Sequence, residues 1–223
     1  YLIRLLQHGA KVAVLSRGYK RKSRGYVLAH QDTRMQDIGD EPYQMKQKFP
    51  NIFVAVDKKR CHGIDRLTND DETKETDVIL LDDAFQHRYV KPGINILLVD
   101  YHRLIIYDKL LPAGRLREPR NGKARADIVI VTKCPKDLRP MEFRVITKAM
   151  DLYPYQKLYF TTLQYGKLMP AYCGSERKLD DIGSDEHVLL LTGIASPKQM
   201  IYDLKPYCSR LTPLTYPDHQ QFT

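Results

Sequence analysis

Residues 78–88 read VILLDDAFQHR. Four apolar residues run without a break, meet Asp82 and Asp83, and are followed closely by Gln86 and His87. An apolar run this short, bounded by polar residues, is the pattern of a strand buried on both faces. The pattern recurs along the chain. KVAVLS (11–16) and residues 51–56 read the same way, 94–99 ends at Asp100, 126–131 ends at Thr132 and Lys133, and 188–191 precedes Thr192 and Gly193. Helical segments are expected between these strands: 39–48, opened by Asp40, Glu41 and Pro42; 61–67; 139–153, carrying Pro140; and one starting near Pro197. Fully apolar strands alternating with helices predict an α/β fold, a mostly parallel sheet with helices on both faces. Polar residues gather where the strands end, which is where open α/β sheets place their ligands.

After residue 153 the texture changes. Residues 157–164 alternate, with aromatics at Tyr159 and Phe160, and read as an extended connector. A boundary is therefore expected near Pro154, with 1–153 as a core domain and 154–223 as a hinge and a smaller α/β domain left incomplete. The first residues, YLIRLLQHG, read as the tail of a helix with Leu2, Leu5 and Leu6 at helical spacing and Gly9 as its C-cap. Nothing before them provides a start signal, so an upstream segment is expected.

Composition sets the frame for function. With 43% hydrophobic and 28% charged residues, the 223-residue chain has an ordinary globular balance. No apolar run approaches the roughly 20 residues that a membrane-spanning helix needs. Cys61, Cys134, Cys173 and Cys208 lie far apart without metal-ligand spacing, and are expected as reduced thiols. The net charge of +9 calls for an acidic partner, whether nucleic acid, an anionic membrane or a phosphorylated substrate. Basic residues cluster in 11–22 and 115–125, which favours a local anion site over a general coat.

Four segments carry chemistry. A strand ending in two acids has the form of a Walker B element, whose carboxylate holds Mg²⁺ directly or through water while the metal bridges nucleotide phosphates. A solvated acidic turn would end a strand in the same way, but Gln86 and His87 place two further polar groups beside the pair. LLPAGRLREPR (110–120) is a loop stiffened by Pro112 and Pro119, presenting Arg115, Arg117 and Arg120 with Glu118; guanidinium forks bind phosphate oxygens bidentately. SRGYKRKSRGY (16–26) puts positive charge at the end of the first strand. Basic residues interleaved with Tyr19 and Tyr26 also suit an RNA-binding module, yet no recognised RNA-binding motif is present. YPDHQQF (216–222) sets Asp218 beside His219, a pair suited to proton transfer if the two side chains converge.

In order, the segments SRGYK, GDEP (39–42), DDAFQHR, LLPAGRLREP, ADIVIVTK (126–133), GIASP (193–197) and the terminal DH resemble the tetraacyldisaccharide 4′-kinases, P-loop enzymes of lipid A assembly. The resemblance covers nearly the whole chain. Each match alone is weak, while their order is specific; Ala84 stands where family members usually carry Gly.

The resemblance implies a P-loop NTPase-like fold, ATP and Mg²⁺ as cofactors, and an acylated disaccharide phosphate as the lipid substrate. It implies work at the cytoplasmic face of the bacterial inner membrane, against an anionic surface and without nucleic acid. By the same resemblance Asp82 and Asp83 are the Walker B acids, with Gln86 and His87 beside the nucleotide. Asp40 is the general base on the sugar 4′-hydroxyl, paired with His219 and Asp218. Glu41 and Glu118 fall to the metal shell, and Arg117 to phosphate. Catalytic groups from two lobes are expected to meet on closure.

No G-x-x-x-x-G-K-[ST] occurs in these residues. The resemblance places that loop upstream of the helix tail at 1–8, so the 223 residues alone are expected to lack appreciable kinase activity. A P-loop GTPase of metal-insertion or regulatory type is the alternative, on the strength of VTKCP (131–135). That motif carries Pro135 where a base-recognising acid would stand.

Overall fold

The computed structural model describes residues 7, 9–194 and 196–217. The expected helix tail at the start lies almost wholly outside them, as do Asp218 and His219. Two compact units divide the chain, Tyr1–Thr162 and Leu163–Thr223.

In the first unit, β1 (Val12–Ser16) lies at the centre of a four-stranded sheet. It pairs in parallel with β3 (Phe53–Val56) on one side and β4 (Val78–Leu81) on the other. The two-residue β2 (Val27–Leu28) adds antiparallel to β3, giving the order β2-β3-β1-β4. Helix α1 (Met35–Ile38) is a single turn that leads through Gly39 into α2 (Asp40–Lys48). Helix α3 (Arg60–Asn69) then connects β3 to β4.

The period of two along β1 divides its side chains between two layers. Val12 and Val14 pack with Ile38, Ile52, Val54 and Val56, joined by Tyr43 and Met45 of α2. Ala13 and Leu15 pack on the other side with Ala55, and with Leu67 and Ile64 of α3. Both faces are covered, as the uninterrupted apolar strands predict, and every β1 residue is buried. Helix α3 comes this close because Gly63 has no side chain: a Cβ there would stand 2.8 Å from a Leu15 methyl.

A second sheet of the same unit holds β5 (Ile96–Asp100), β6 (Ile128–Cys134) and β7 (Lys157–Thr162), all parallel in that order. Helix α4 (Pro140–Met150) connects β6 to β7 and buries Ile146 and Met150 against Val129 and Val131. β7 occupies the stretch expected as a connector. Its alternation is that of an edge strand with one open face, and pairing with β6 makes it part of the first unit, so the compact division falls after it. Leu98, Ile130 and Tyr159 lie side by side across this sheet, and Leu98 and Tyr159 are 65% and 50% exposed. The expected mostly parallel sheet is thus two sheets, parallel throughout except for β2, and among the described residues β4 and β5 each have a strand neighbour on one side.

The second unit carries β8 (His187–Thr192) and β9 (Arg210–Thr215), a parallel pair linked by α5 (Lys198–Leu204). β9 was not legible in the sequence, since Pro213 interrupts it; a proline is tolerated where a strand lies at a sheet edge. Tyr165 donates to Asp203 at 3.0 Å, and burial, aided by that carboxylate, pushes its phenol up to about 12.

Gly63→Val should destabilise the protein by about 1–3 kcal/mol, because an added Cβ and its two methyl groups must enter the space held by Leu15 and the Asp57 Cβ. Denaturant unfolding checks this; an unchanged midpoint would contradict the close approach of α3 to β1.

Candidate functional site

Three parallel strands end together at one edge of the first sheet, at Ser16, Val56 and Leu81. The chain continues from each into a polar segment, and backbone hydrogen bonds carry the register beyond the strands. Asp57 N–H donates to Ser16 O at 3.0 Å, and Asp82 N–H donates to Leu15 O at 3.1 Å. Asp57 and Asp82 are therefore brought to the same edge, on either side of β1.

Arg60, the first residue of α3, lies between them. It is 3% exposed, as is Asp57. Its guanidinium donates to the carbonyl of Asp57 at 2.5 Å and to the carbonyl of Asp82 at 3.2 Å, and among the described residues Nε has no partner. Burial lowers the Arg60 pKa, with Arg17 acting the same way, while Asp82, Asp83 and Asp57 oppose the shift. A buried cation thus faces the acid pair with one donor unspent. Asp57 is committed elsewhere: Oδ1 accepts from Lys59 N–H at 2.8 Å and Oδ2 meets His62 Nδ1 at 2.6 Å. Sequence reading missed both Arg60 and Asp57. The run Lys58-Lys59-Arg60 reads as a solvated basic face, and the sole signal was its position just after a strand end.

Beyond Asp82 the backbone turns sharply. Asp83 has φ +43°, a left-handed conformation that costs a residue with a side chain about 1–3 kcal/mol and persists only where its surroundings enforce it. His87 N–H closes the turn on Ala84 O at 2.8 Å. The imidazole stands edge-on to Tyr89, its Nδ1 buried without a hydrogen-bond partner, while Gln86 is exposed.

Asp40 and Glu41 open α2 on the neighbouring loop, where a helix N-terminus favours carboxylates. Gly39, at φ +95°, makes the entry possible: a Cβ there would lie 3.0 Å from Tyr19 O, so the 39–42 and 16–26 segments are in direct backbone contact. Within 16–26, Arg21 is structural. Its Nη1 donates to Val56 O at 3.3 Å and its Nη2 to Gly25 O at 2.5 Å, fastening the basic loop to the end of β3.

Glu118 lies partly buried, with both carboxylate oxygens 2.9 Å from Arg125 Nη2 and Arg88 3.5 Å away. Arg125 also donates to Phe85 O at 3.2 Å and stacks 4.7 Å over the Phe85 ring. This carboxylate ties the 110–120 loop to the turn after β4. Arg117, one residue before it, is exposed. Among the described residues no three His, Cys, Asp or Glu side chains converge on a metal position. The expected shell of Asp82, Asp83, Glu41 and Glu118 is therefore not assembled as a protein cage. Two strand-end carboxylates still fit Mg²⁺, which keeps several waters and takes phosphate oxygens rather than all-protein ligands. Lys133 of the VTKCP segment, at φ +57°, bonds Asp100 at 2.6 Å.

Comparison with known proteins places this arrangement. The chain matches the family model LpxK, tetraacyldisaccharide-1-P 4′-kinase, over residues 1–223. It is 66% identical over 224 residues to a tetraacyldisaccharide 4′-kinase of Phocaeicola vulgatus, covering all of this chain and 61% of that protein. A tetraacyldisaccharide 4′-kinase of Bacteroides thetaiotaomicron is 53% identical, with 60% of its length covered. The chain thus spans about 60% of the length of these relatives. Among solved structures, the "apo" form of LpxK from Aquifex aeolicus in complex with ATP superposes with a TM-score of 0.70 at 26% identity, covering all of this chain and 67% of that one. The chain belongs to the tetraacyldisaccharide-1-P 4′-kinase family.

Proposed function

We propose that the protein to which these residues belong transfers the γ-phosphate of ATP to the 4′-hydroxyl of a tetraacyldisaccharide 1-phosphate in lipid A biosynthesis. The observation that carries this reading is the pair Asp82 and Asp83 at the end of β4, backed by the buried Arg60, in a chain that matches the kinase family from end to end.

Asp82 and Asp83 would hold Mg²⁺, which would neutralise phosphate charge while ATP supplies the transferable phosphoryl group. Glu41 would join the metal shell. Arg60 fixes the position of the Asp82 backbone and offers its remaining donor to anionic oxygen. Asp40, whose carboxylate accepts from Glu41 N–H at 3.0 Å, takes the proton of the acceptor hydroxyl. Asp218 and His219, outside the described residues, keep the proton-transfer role given by the resemblance. Gln86 and His87 line the nucleotide side, and Arg117 offers an exposed fork to phosphate. Glu118 acts at one remove, by holding the arginine loop against the turn after β4.

The 223 residues contain no G-x-x-x-x-G-K-[ST], and among the described residues β4 and β5 each have one edge without a strand neighbour. The proposed site of action is the cytoplasmic face of the bacterial inner membrane. The charge of +9 supports attraction to an anionic surface, and among the described residues no helix is long and apolar enough to cross a membrane.

In the full-length protein, Asp40→Asn should lower kcat for phosphorylation of the tetraacyldisaccharide by at least about 100-fold, the scale of a lost general base. Steady-state kinetics checks it, and an unaltered kcat would remove Asp40 from the chemistry. A double-mutant cycle on Glu118→Gln and Arg125→Ala should give a coupling of about 0.5–3 kcal/mol in kcat/KM. Strict additivity would show that their contact does not position the loop.

A further inference from the structure

The chain passes from β3 into α3 through Asp57, and the hydrogen-bonding groups of that residue are all engaged. Its N–H donates to Ser16 O at 3.0 Å, and its carbonyl accepts from Arg60 Nη1 at 2.5 Å. Oδ1 accepts from Lys59 N–H at 2.8 Å, and Oδ2 lies 2.6 Å from His62 Nδ1. An ionised carboxylate can only accept, so Nδ1 is a protonated nitrogen of that imidazole.

Asp57 is buried, whereas the side chain of His62 is half exposed and fills little of the core. What the histidine supplies is a tether from the first turn of α3 back to the end of β3. Its ring stands edge-on to Tyr26, with 6.3 Å between centroids, and Arg66, one turn further on, covers the same tyrosine at 5.2 Å. These contacts with the end of the basic loop set the orientation of the imidazole.

The tether matters because the carboxylate has rival partners. Burial lowers the pKa of both Arg21 and Arg60 and Asp57 opposes the shift at each, which puts its charge within electrostatic reach of two guanidiniums. Among the described residues the buried Nε of Arg60 has no partner. A carboxylate released from His62 would turn toward that donor, since a hydrogen bond between ionised groups is about twice as strong as one between neutral groups. Arg60 would then be drawn from the carbonyl of Asp82, a neutral acceptor 3.2 Å away. His62 prevents this exchange by occupying Oδ2.

We propose that His62 is a positioning residue for phosphoryl transfer: by engaging the Asp57 carboxylate it leaves Arg60 to the carbonyl of Asp82, and so fixes how the acids after β4 are presented. The role rests on the kinase reading above and deepens it.

The test compares the full-length protein with His62→Ala, which removes the tether, and His62→Asn, whose side-chain amide can still donate to Asp57. The first readout is hydrogen exchange in the ligand-free protein, followed by mass spectrometry on peptides covering 57–62 and 82–84. The second is the Mg²⁺ concentration that half-saturates binding of a fluorescent ATP analogue. Partners of metal ligands typically change metal affinity 10–100-fold, and His62 acts at a further remove. His62→Ala should therefore speed exchange at 82–84 and raise the half-saturating Mg²⁺, each by about three- to tenfold, with His62→Asn within about twofold of wild type in both. A loss of stability alone would reduce the bound fraction without moving the Mg²⁺ midpoint. If the Ala variant does not fold, His62→Ser, too short to reach Asp57, replaces it under the same expectation. Faster exchange confined to 57–62, with the Mg²⁺ midpoint unmoved, makes the contact local and overturns the role while the kinase reading stands. An Asn variant as impaired as the Ala variant overturns it as well. A wild type that binds no ATP in the presence of Mg²⁺ overturns the kinase reading and the role together.

Discussion

A guanidinium with almost no access to solvent joins two strand ends in this fold. Arg60 binds the carbonyl of Asp57 after β3 and the carbonyl of Asp82 after β4, spanning the strand between them. Burying a cation is costly unless partners compensate, and here two peptide dipoles and three nearby carboxylates do so. The arrangement fixes where the β4 chain leaves the sheet, and so where Asp82 and Asp83 are presented. Gly63, one turn further along α3, sets the depth at which the helix delivers that arginine.

Two further ties follow the same logic. Gly39 allows the loop bearing Asp40 to lie against the carbonyl of Tyr19, and Arg21 fastens that loop's neighbour to the end of β3. Glu118, through Arg125, holds the arginine loop to the turn after Asp83. Each loop at the strand edge is therefore held by an ordered polar contact or a close backbone approach, leaving the exposed Asp83, Gln86 and Arg117 as the groups open to ligands. Sites of this kind place their flexible chemistry on rigid supports.

Much of this was legible in the sequence because apolar strands and their polar ends leave a one-dimensional trace. The strands at 11–16, 51–56 and 78–81 lie within a residue or two of their observed bounds, and the acids at 82 and 83 come where the apolar run stops. β7 was misread, since an edge strand with one open face alternates as an exposed connector does. Arg60 escaped because burial of a long cation depends on the distant Asp82 carbonyl, which no local pattern records. The contact between Glu118 and Arg125, a partner seven residues on, was likewise not legible. Pairings across loops are set by tertiary packing, and residue type alone does not fix them.

The central claim is that the end of β4, held by Arg60, presents a metal-binding acid to nucleotide phosphates. Calorimetric titration of ATP into the full-length protein and its Asp82→Asn variant, with Mg²⁺ and then with EDTA, tests it most directly. Loss of a ligand carboxylate should weaken Mg²⁺-dependent ATP binding at least about tenfold and leave the metal-free affinity unchanged. Equal affinities for the two proteins in the presence of Mg²⁺ would contradict the account.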